Sequence, residues 1–451
     1  MKIRTIVSSF LMFYLLTISA CSQTGSTPAP QATPQPATSF PTQIPLTSLH
    51  NAKALTLPTA TPQAGSPTPA KITPTPTIDP PSLTPSPTSP SPSQVIGFFV
   101  NWDDNSFTSL KANFNHLDEL IPEWLHLSNA SGAIQQDDPA REREVLAFLK
   151  QQSSNLRVVP LINNYNNDLQ DWDAKSLSKM LAVPQARLQN IQALLDYVQK
   201  NGFSGISIDY ESVPPGSQAN LVSFMQELYA RFHPLGLEVS QSVPFDDETF
   251  NFSALASAAD FLILMAYDQH WDTSDPGPVA GQNWFEDLLR LRLSELPADH
   301  VVVGIGNYGY DWLGNTTTSQ AVTFHDVLNQ VSASNVQIGL DPVSLNPTFV
   351  YTATATKRQV WYLDAITAFD ELVTAQPYGP RGYAMWVLGS EDPGVWQVFD
   401  HLNQLDQSVA ESLQVLNDGY NSQSTAGSRS ITYNPATGLI TNEQILTYSS
   451  P

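Results

Sequence analysis

Two acids near the middle of the chain are spaced for chemistry. In Gly205-Ile206-Ser207-Ile208-Asp209-Tyr210-Glu211 the apolar residues Ile206, Ile208 and Tyr210 alternate with small or acidic ones. That period of two predicts a strand. Successive strand side chains point to opposite faces, so Ser207, Asp209 and Glu211 are expected on one face. The two carboxylates then lie roughly 6–7 Å apart along the backbone at the strand's C-terminal end. Pro214-Pro215 closes the strand into a loop. Like charges at this spacing raise at least one pKa, which suits a general acid working near neutral pH. The competing reading is an edge strand whose acids are merely solvated.

The elements needed to position such a pair are legible on either side. Strand-like runs occur at Val95–Val100, Trp124–Leu127, Leu156–Ile162, Gly205–Glu211, Leu237–Val243, Phe261–Tyr267, Val301–Ile305 and Gly382–Leu388. Amphipathic stretches lie between them, among them Ala140–Gln151, Pro184–Lys200, Gln218–Phe232 and Trp284–Leu296. Strands separated by helical crossovers predict an α/β fold, and this number predicts a (β/α)8 TIM barrel. The runs Val158–Ile162 and Phe261–Ala266 are almost continuously apolar, as strands buried on both faces should be. The last crossover is long. It holds a helix-like Val322–Val331 and strand-like Thr348–Tyr351 and Gln359–Tyr362, which predict a small α+β insertion between strands seven and eight.

Barrel enzymes work from the C-terminal ends of their strands. Polar and aromatic residues gather there: Asn101-Trp102-Asp103-Asp104, Asn163-Asn164-Tyr165, Asp209, Glu211, Tyr267-Asp268, Trp271, Tyr308 and Trp386. Rings that stack on apolar sugar faces, with amides and acids for hydroxyls and acetamides, suit a neutral carbohydrate. No phosphate-cradling glycine loop or metal-ligand cluster is evident, so neither cofactor nor metal is expected. The net charge of −22 argues against nucleic acid as a partner.

The remaining segments read differently. Lys2 and Arg4 precede an apolar run over residues 10–16, then Ile18-Ser19-Ala20-Cys21, which has the flanks of a signal peptide at 1–21. The chain's single cysteine, Cys21, is placed as in the lipobox that this segment resembles, so lipidation and an extracytoplasmic, membrane-anchored location are expected. Residues 22–93 are dominated by Pro, Thr, Ser, Ala and Gln and predict a disordered, extended tether. The barrel is expected over 94–404, and a low-complexity, partly ordered tail over 405–451 with a hairpin-like piece at Ile431–Leu439.

Three motifs in order carry a resemblance. Gly202-Phe203-Ser204-Gly205-Ile206-Ser207-Ile208-Asp209-Tyr210-Glu211 resembles the signature of glycoside hydrolase family 18, in which acids at alternate positions end on a catalytic Glu. Met265-Ala266-Tyr267-Asp268 resembles that family's sixth-strand motif. Trp386 in Gly382-Tyr383-Ala384-Met385-Trp386 resembles its eighth-strand tryptophan. Gly306–Trp312 and Val360–Ala365 are similar to the branch of spore-cortex and peptidoglycan N-acetylglucosaminidases. A narrower likeness, through Gly97–Phe107 and Ile431–Ser450, is to envelope proteins that join such a domain to polysaccharide deacetylase and glycosyltransferase domains, neither of which is expected here.

The resemblance implies a retaining, substrate-assisted hydrolase of β-linked N-acetylglucosamine polysaccharide, monomeric, with Glu211 as acid and base. It implies Asp209 and Tyr267 on the substrate's acetamide. Trp386, Asp268, Ser207, Trp102, Asn163, Tyr308 and Trp271 are the implied substrate contacts. The chain departs from the pattern at Ser204 and Ser207, where the family carries acids; the second of these usually shares a proton with the residue at Asp209. A serine can hydrogen-bond but cannot hold charge. The alternative is therefore a barrel that binds the glycan without cleaving it.

Overall fold

The computed structural model describes residues 93–418 and 421–448. The expected signal segment with Cys21, and the tether but for its last residue, lie outside the described residues.

Parallel strands close a barrel: β1 (Gln94–Val100), β2 (Glu119–Leu127), β3 (Leu161–Asn163), β4 (Gly205–Asp209), β5 (Glu238–Pro244), β6 (Phe261–Met265), β7 (Val301–Gly306) and β8 (Gly382–Trp386). Each pairs with its sequence neighbour, and β8 returns to β1. This is the expected (β/α)8 arrangement, with the strands at the expected places. Several ends differ from the sequence reading: β3 starts at Leu161 rather than Leu156, β6 ends at Met265 and β8 at Trp386, and two further differences bear on the site. Strand β2 starts at Glu119, earlier than Trp124, because Pro122 and two glutamates mask its start. Strand β4 ends at Asp209, leaving Glu211 beyond the ladder.

Inward-facing Ile96, Phe98, Val100, Ile121, Val159, Leu161, Phe261, Ile263, Val302 and Ala384 fill the barrel as one apolar cluster. Outward-facing strand residues pack on the crossover helices in a second, larger cluster. Helix Pro184–Asn201, which feeds β4, starts on a proline and ends at Gly202 in the left-handed conformation (φ 70°). Close strand packing requires Gly205, where a Cβ would sit 2.3 Å from the Glu238 carbonyl oxygen.

Between β7 and β8 the chain builds the expected α+β insertion. Its antiparallel sheet has the order Ser319–Val322, Gly309–Leu313, Thr356–Tyr362, Pro347–Ala353, Gly339–Leu340, with helix Phe324–Ser334 beside it.

The segment read as a low-complexity tail is more regular than its composition suggests. Helix Gln407–Ser412 leads into an antiparallel sheet of Val415–Asp418, Asn421–Asn434 and Leu439–Tyr448. Val409, Leu413, Leu416 and Ile440 are buried in it, and a buried cation adds to their packing. The Arg429 guanidinium meets Asp392 at 2.8 Å, Glu443 at 3.1 Å and Asp364 at 3.4 Å. The Ile440 N–H also donates to the Asp370 carboxylate on helix Ala365–Ala375 (2.7 Å).

Candidate active site

Strand β4 delivers the acids. Ser207 and Asp209 point inward with Leu161 and Asn163, their partners across the ladder. Both are buried, as is Glu211. Beyond Asp209 a side chain takes over from the ladder. The Glu211 N–H donates to Asn164 Oδ1 (2.8 Å), while Asn164 Nδ2 donates to the Glu211 carbonyl (3.1 Å). The amide imitates a neighbouring strand and holds Glu211 as if β4 continued. Ser212 then turns the chain in the left-handed region (φ 52°), a conformation a serine adopts at a cost of order 1 kcal/mol.

Asp209 stands in unusual surroundings. Its Oδ1 and the Ser207 Oγ are buried and have no hydrogen-bond partner among the described residues. Burial first, and then the nearby charge of Glu123, push the Asp209 carboxyl up to about 8.

Glu123 was not picked out from the sequence. It lies on β2 in register with Leu161 and so faces the barrel interior. A bulge between Glu123 and Leu125 adds a residue to β2, so His126 also faces inward, opposite Asn163. Asn163 joins the two: its Nδ2 donates to Glu123 Oε1 (2.9 Å), and its Oδ1 meets His126 Nδ1 (2.6 Å). His126 Nε2 is 3.7 Å from Asp137, which also accepts from Asn101 Nδ2 (3.2 Å). Burial opposes charge on His126, yet Asp137, Glu123 and Asn163 together raise its pKa. Burial also raises Glu123, with His126 and Asn163 working the other way.

The opposite wall carries Tyr267, just past β6. Gly304 and Gly306 on β7 leave room for its ring; a Cβ at Gly306 would come within 3.1 Å of Tyr267 Cβ. Asp268 follows in the left-handed region (φ 60°), and its Oδ1 accepts from Tyr308 (2.6 Å) and Tyr310 (2.9 Å). Tyr308, expected to contact substrate, is only 5% exposed and directs its hydroxyl to Asp268. It supports the wall. Burial and then the Asp268 charge hold both tyrosine hydroxyls well above their ordinary range.

Trp386 closes β8, half-buried, edge-on to Phe98 with centroids 5.3 Å apart. Trp102 is 36% exposed beyond β1. Trp271 is half-buried at the edge of the Tyr267 cluster. The structure thus gathers Asp209, Glu211, Tyr267, Asn163 and Trp386 at one end of the barrel, and adds Glu123, Asn164 and His126. The bulge and the amide clamp that recruit these three leave no periodic trace in the sequence. Among the described residues no His, Cys, Asp and Glu side chains are grouped to hold a metal ion. An acid with a neighbouring raised carboxyl, a tyrosine hydroxyl and an aromatic floor can protonate a leaving group and hold a polar substituent.

Residues 94–392 match the profile of Glycosyl hydrolases family 18. A Bacillus subtilis protein, the uncharacterized glycosylase YvbX, is 24% identical over 310 residues, 66% of this chain and 88% of its own. The cortical fragment-lytic enzyme of the same organism is 25% identical over 259 residues, and the match spans only 60% of that enzyme. Among solved structures, the chitinase from Chromobacterium violaceum superposes with a TM-score of 0.64 at 25% identity, over 69% of this chain and 99% of that one. The Bacillus cereus spore cortex-lytic enzyme SleL superposes at 0.61 with 21% identity, a likeness of fold.

Proposed function

The chain belongs to glycosyl hydrolase family 18, and from that premise we propose that it cleaves β-linked N-acetylglucosamine-containing polysaccharide, of peptidoglycan or chitin type, with retention of configuration. Glu211 protonates the glycosidic oxygen, and the substrate's own 2-acetamide oxygen attacks the anomeric carbon. Asp209 meets the acetamide N–H and balances the developing charge, Tyr267 donates to the acetamide oxygen, and Trp386 floors the sugar. Glu211 then deprotonates the incoming water. The likeness to a chitinase and a cortical fragment-lytic enzyme supports this substrate class. The observation that carries the reading is the Asn164 clamp, which fixes the backbone of one acid, Glu211, two residues beyond a second, Asp209, whose protonation is tuned. The lipobox-like Cys21 and the proline-rich segment after it support an extracytoplasmic, lipid-anchored enzyme acting on a polymer away from the membrane.

A second reading, a barrel that binds the glycan without turnover, draws on one observation: Ser207 makes no hydrogen bond to Asp209. Incubating the full chain and Glu211→Gln with peptidoglycan fragments and chitooligosaccharides separates the two. Retained-anomer products from wild type, with a loss of at least ~100-fold in the variant, support the hydrolase. Binding by both without products supports the second reading.

A further inference from the structure

We infer that Glu123 is the partner acid of Asp209, a positioning residue on β2 that stands in for the acid missing at Ser207 and holds one negative charge jointly with Asp209 across the barrel mouth. This rests on the hydrolase reading above and deepens it.

Strand register carries the inference. Glu123 pairs with Leu161, which pairs with Ser207, so the three side chains form one inward row from β2 to β4. Asp209 stands one inward step higher. Two strand spacings across and one inward step along β4 separate the backbones of Glu123 and Asp209, roughly 12 Å, a gap that a glutamate and an aspartate pointing into a curved barrel narrow from both sides. Asp209 Oδ1 has no hydrogen-bond partner among the described residues, while Glu123 Oε1 is held by Asn163, the residue paired with Asp209. Glu123 is thus anchored from β3.

The surrounding charges decide where the proton sits. From β2, His126 faces Glu123 through Asn163, and Asp137 faces His126 from beyond the short strand Ile134–Gln136. Glu211 follows Asp209 past β4, and Tyr267 and Asp268 lie past β6. His126, whose pKa is raised, lowers the pKa of Glu123 and has no such effect on Asp209, so the arrangement favours the negative charge on Glu123 and the proton on Asp209. In this arrangement Asp209 meets the substrate protonated, and as positive charge develops on the acetamide its proton passes to the Glu123 carboxylate, leaving Asp209 ionised and the pair still carrying one negative charge.

The test titrates Asp209 directly. The full chain is labelled with 13Cγ-aspartate, and the Asp209 signal is identified by its loss in Asp209→Asn. In wild type its shift is expected to follow two inflections, its own and a smaller one from its neighbour. In Glu123→Gln the smaller inflection vanishes and the main midpoint falls by at least about one pH unit. Glu123→Asp, which keeps the charge, retains the raised midpoint. In wild-type hydrolysis the limb of the pH–rate profile governed by Asp209 is expected to move with the midpoint. A single inflection in wild type, or an unmoved midpoint in Glu123→Gln, overturns the inference even if hydrolysis is normal. A wild type that titrates as expected but cleaves nothing overturns the hydrolase reading and leaves the partnership standing.

Discussion

Strand β2 carries one glutamate at its start and another midway, level with the last residue of β1, and the two live in different chemistry. Glu119, at the N-terminal end of the barrel, faces Arg157 at 3.0 Å, and Arg157 reaches Glu238 on β5 at 2.9 Å. Glu123, four positions on toward the C-terminal end, has an asparagine amide and, through it, a histidine. Burial raises both carboxyls. At the base, arginines repay part of that desolvation, and the charges hold strands together. At the mouth no arginine does so, and Asp209 is left poised near neutral pH. The same barrel thus sets arginine at the end that must be stable and a titratable histidine, His126, at the end that must react. The C-terminal sheet follows the rule of the base, with Arg429 set among Asp364, Asp392 and Glu443.

The contrast can be broken from either side. The largest effect is expected from Arg429→Met, which leaves buried carboxylates around an empty cation position: a loss of about 3–5 kcal/mol, read as a lower urea midpoint. Hydrolysis by the molecules still folded stays near wild type. Next comes Asn164→Ala at the mouth. Without the clamp on Glu211, kcat on chitooligosaccharides is expected to fall about 30-fold with little change in KM. Asn164→Asp, which can still accept from the Glu211 N–H, falls less. At the base, Arg157→Met is expected to destabilise by about 1–2 kcal/mol, moderated because its side chain is 39% exposed, with the pH–rate profile unmoved.

A separate effect concerns stability against pH. Folding raises the Asp209 pKa, so the folded state keeps a proton that the unfolded chain releases. That contribution is complete below the ordinary aspartate range and is lost as pH climbs toward 8. Asp209→Asn is expected to stay close to wild type in thermal unfolding at pH 4 and to exceed it by up to several kcal/mol at pH 8, while losing activity. An equal gain at both pH values would show that Asp209 is not strained by its charge.

Much of this was legible in the chain. Apolar runs and crossover lengths reveal the barrel and its insertion, because a strand buried on both faces must be apolar whatever surrounds it. The alternation around Asp209 and the residues Tyr267 and Trp386 mark the working end. Less legible were residues whose role depends on a neighbour distant in sequence. Glu123 stands behind Pro122, where strand propensity is poor, and only the bulge after it explains why His126 shares its face. Asn164 looks like any loop amide until its fork is seen against Glu211. The last segment reads as low complexity because a few scattered apolar residues, backbone pairing and one buried arginine hold its sheet, which composition does not register.

By itself the sequence determined local periodicity, and with it the strands, the helices and the acids that end β4. Side-chain alternation is a property of the backbone and needs no partner. Only the tertiary structure decided which charges are answered and which are not. A carboxyl's pKa depends on burial and on charges brought near by ladder register, and the register that sets Glu123 on the inward row one step below Asp209 exists only when β2, β3 and β4 are paired.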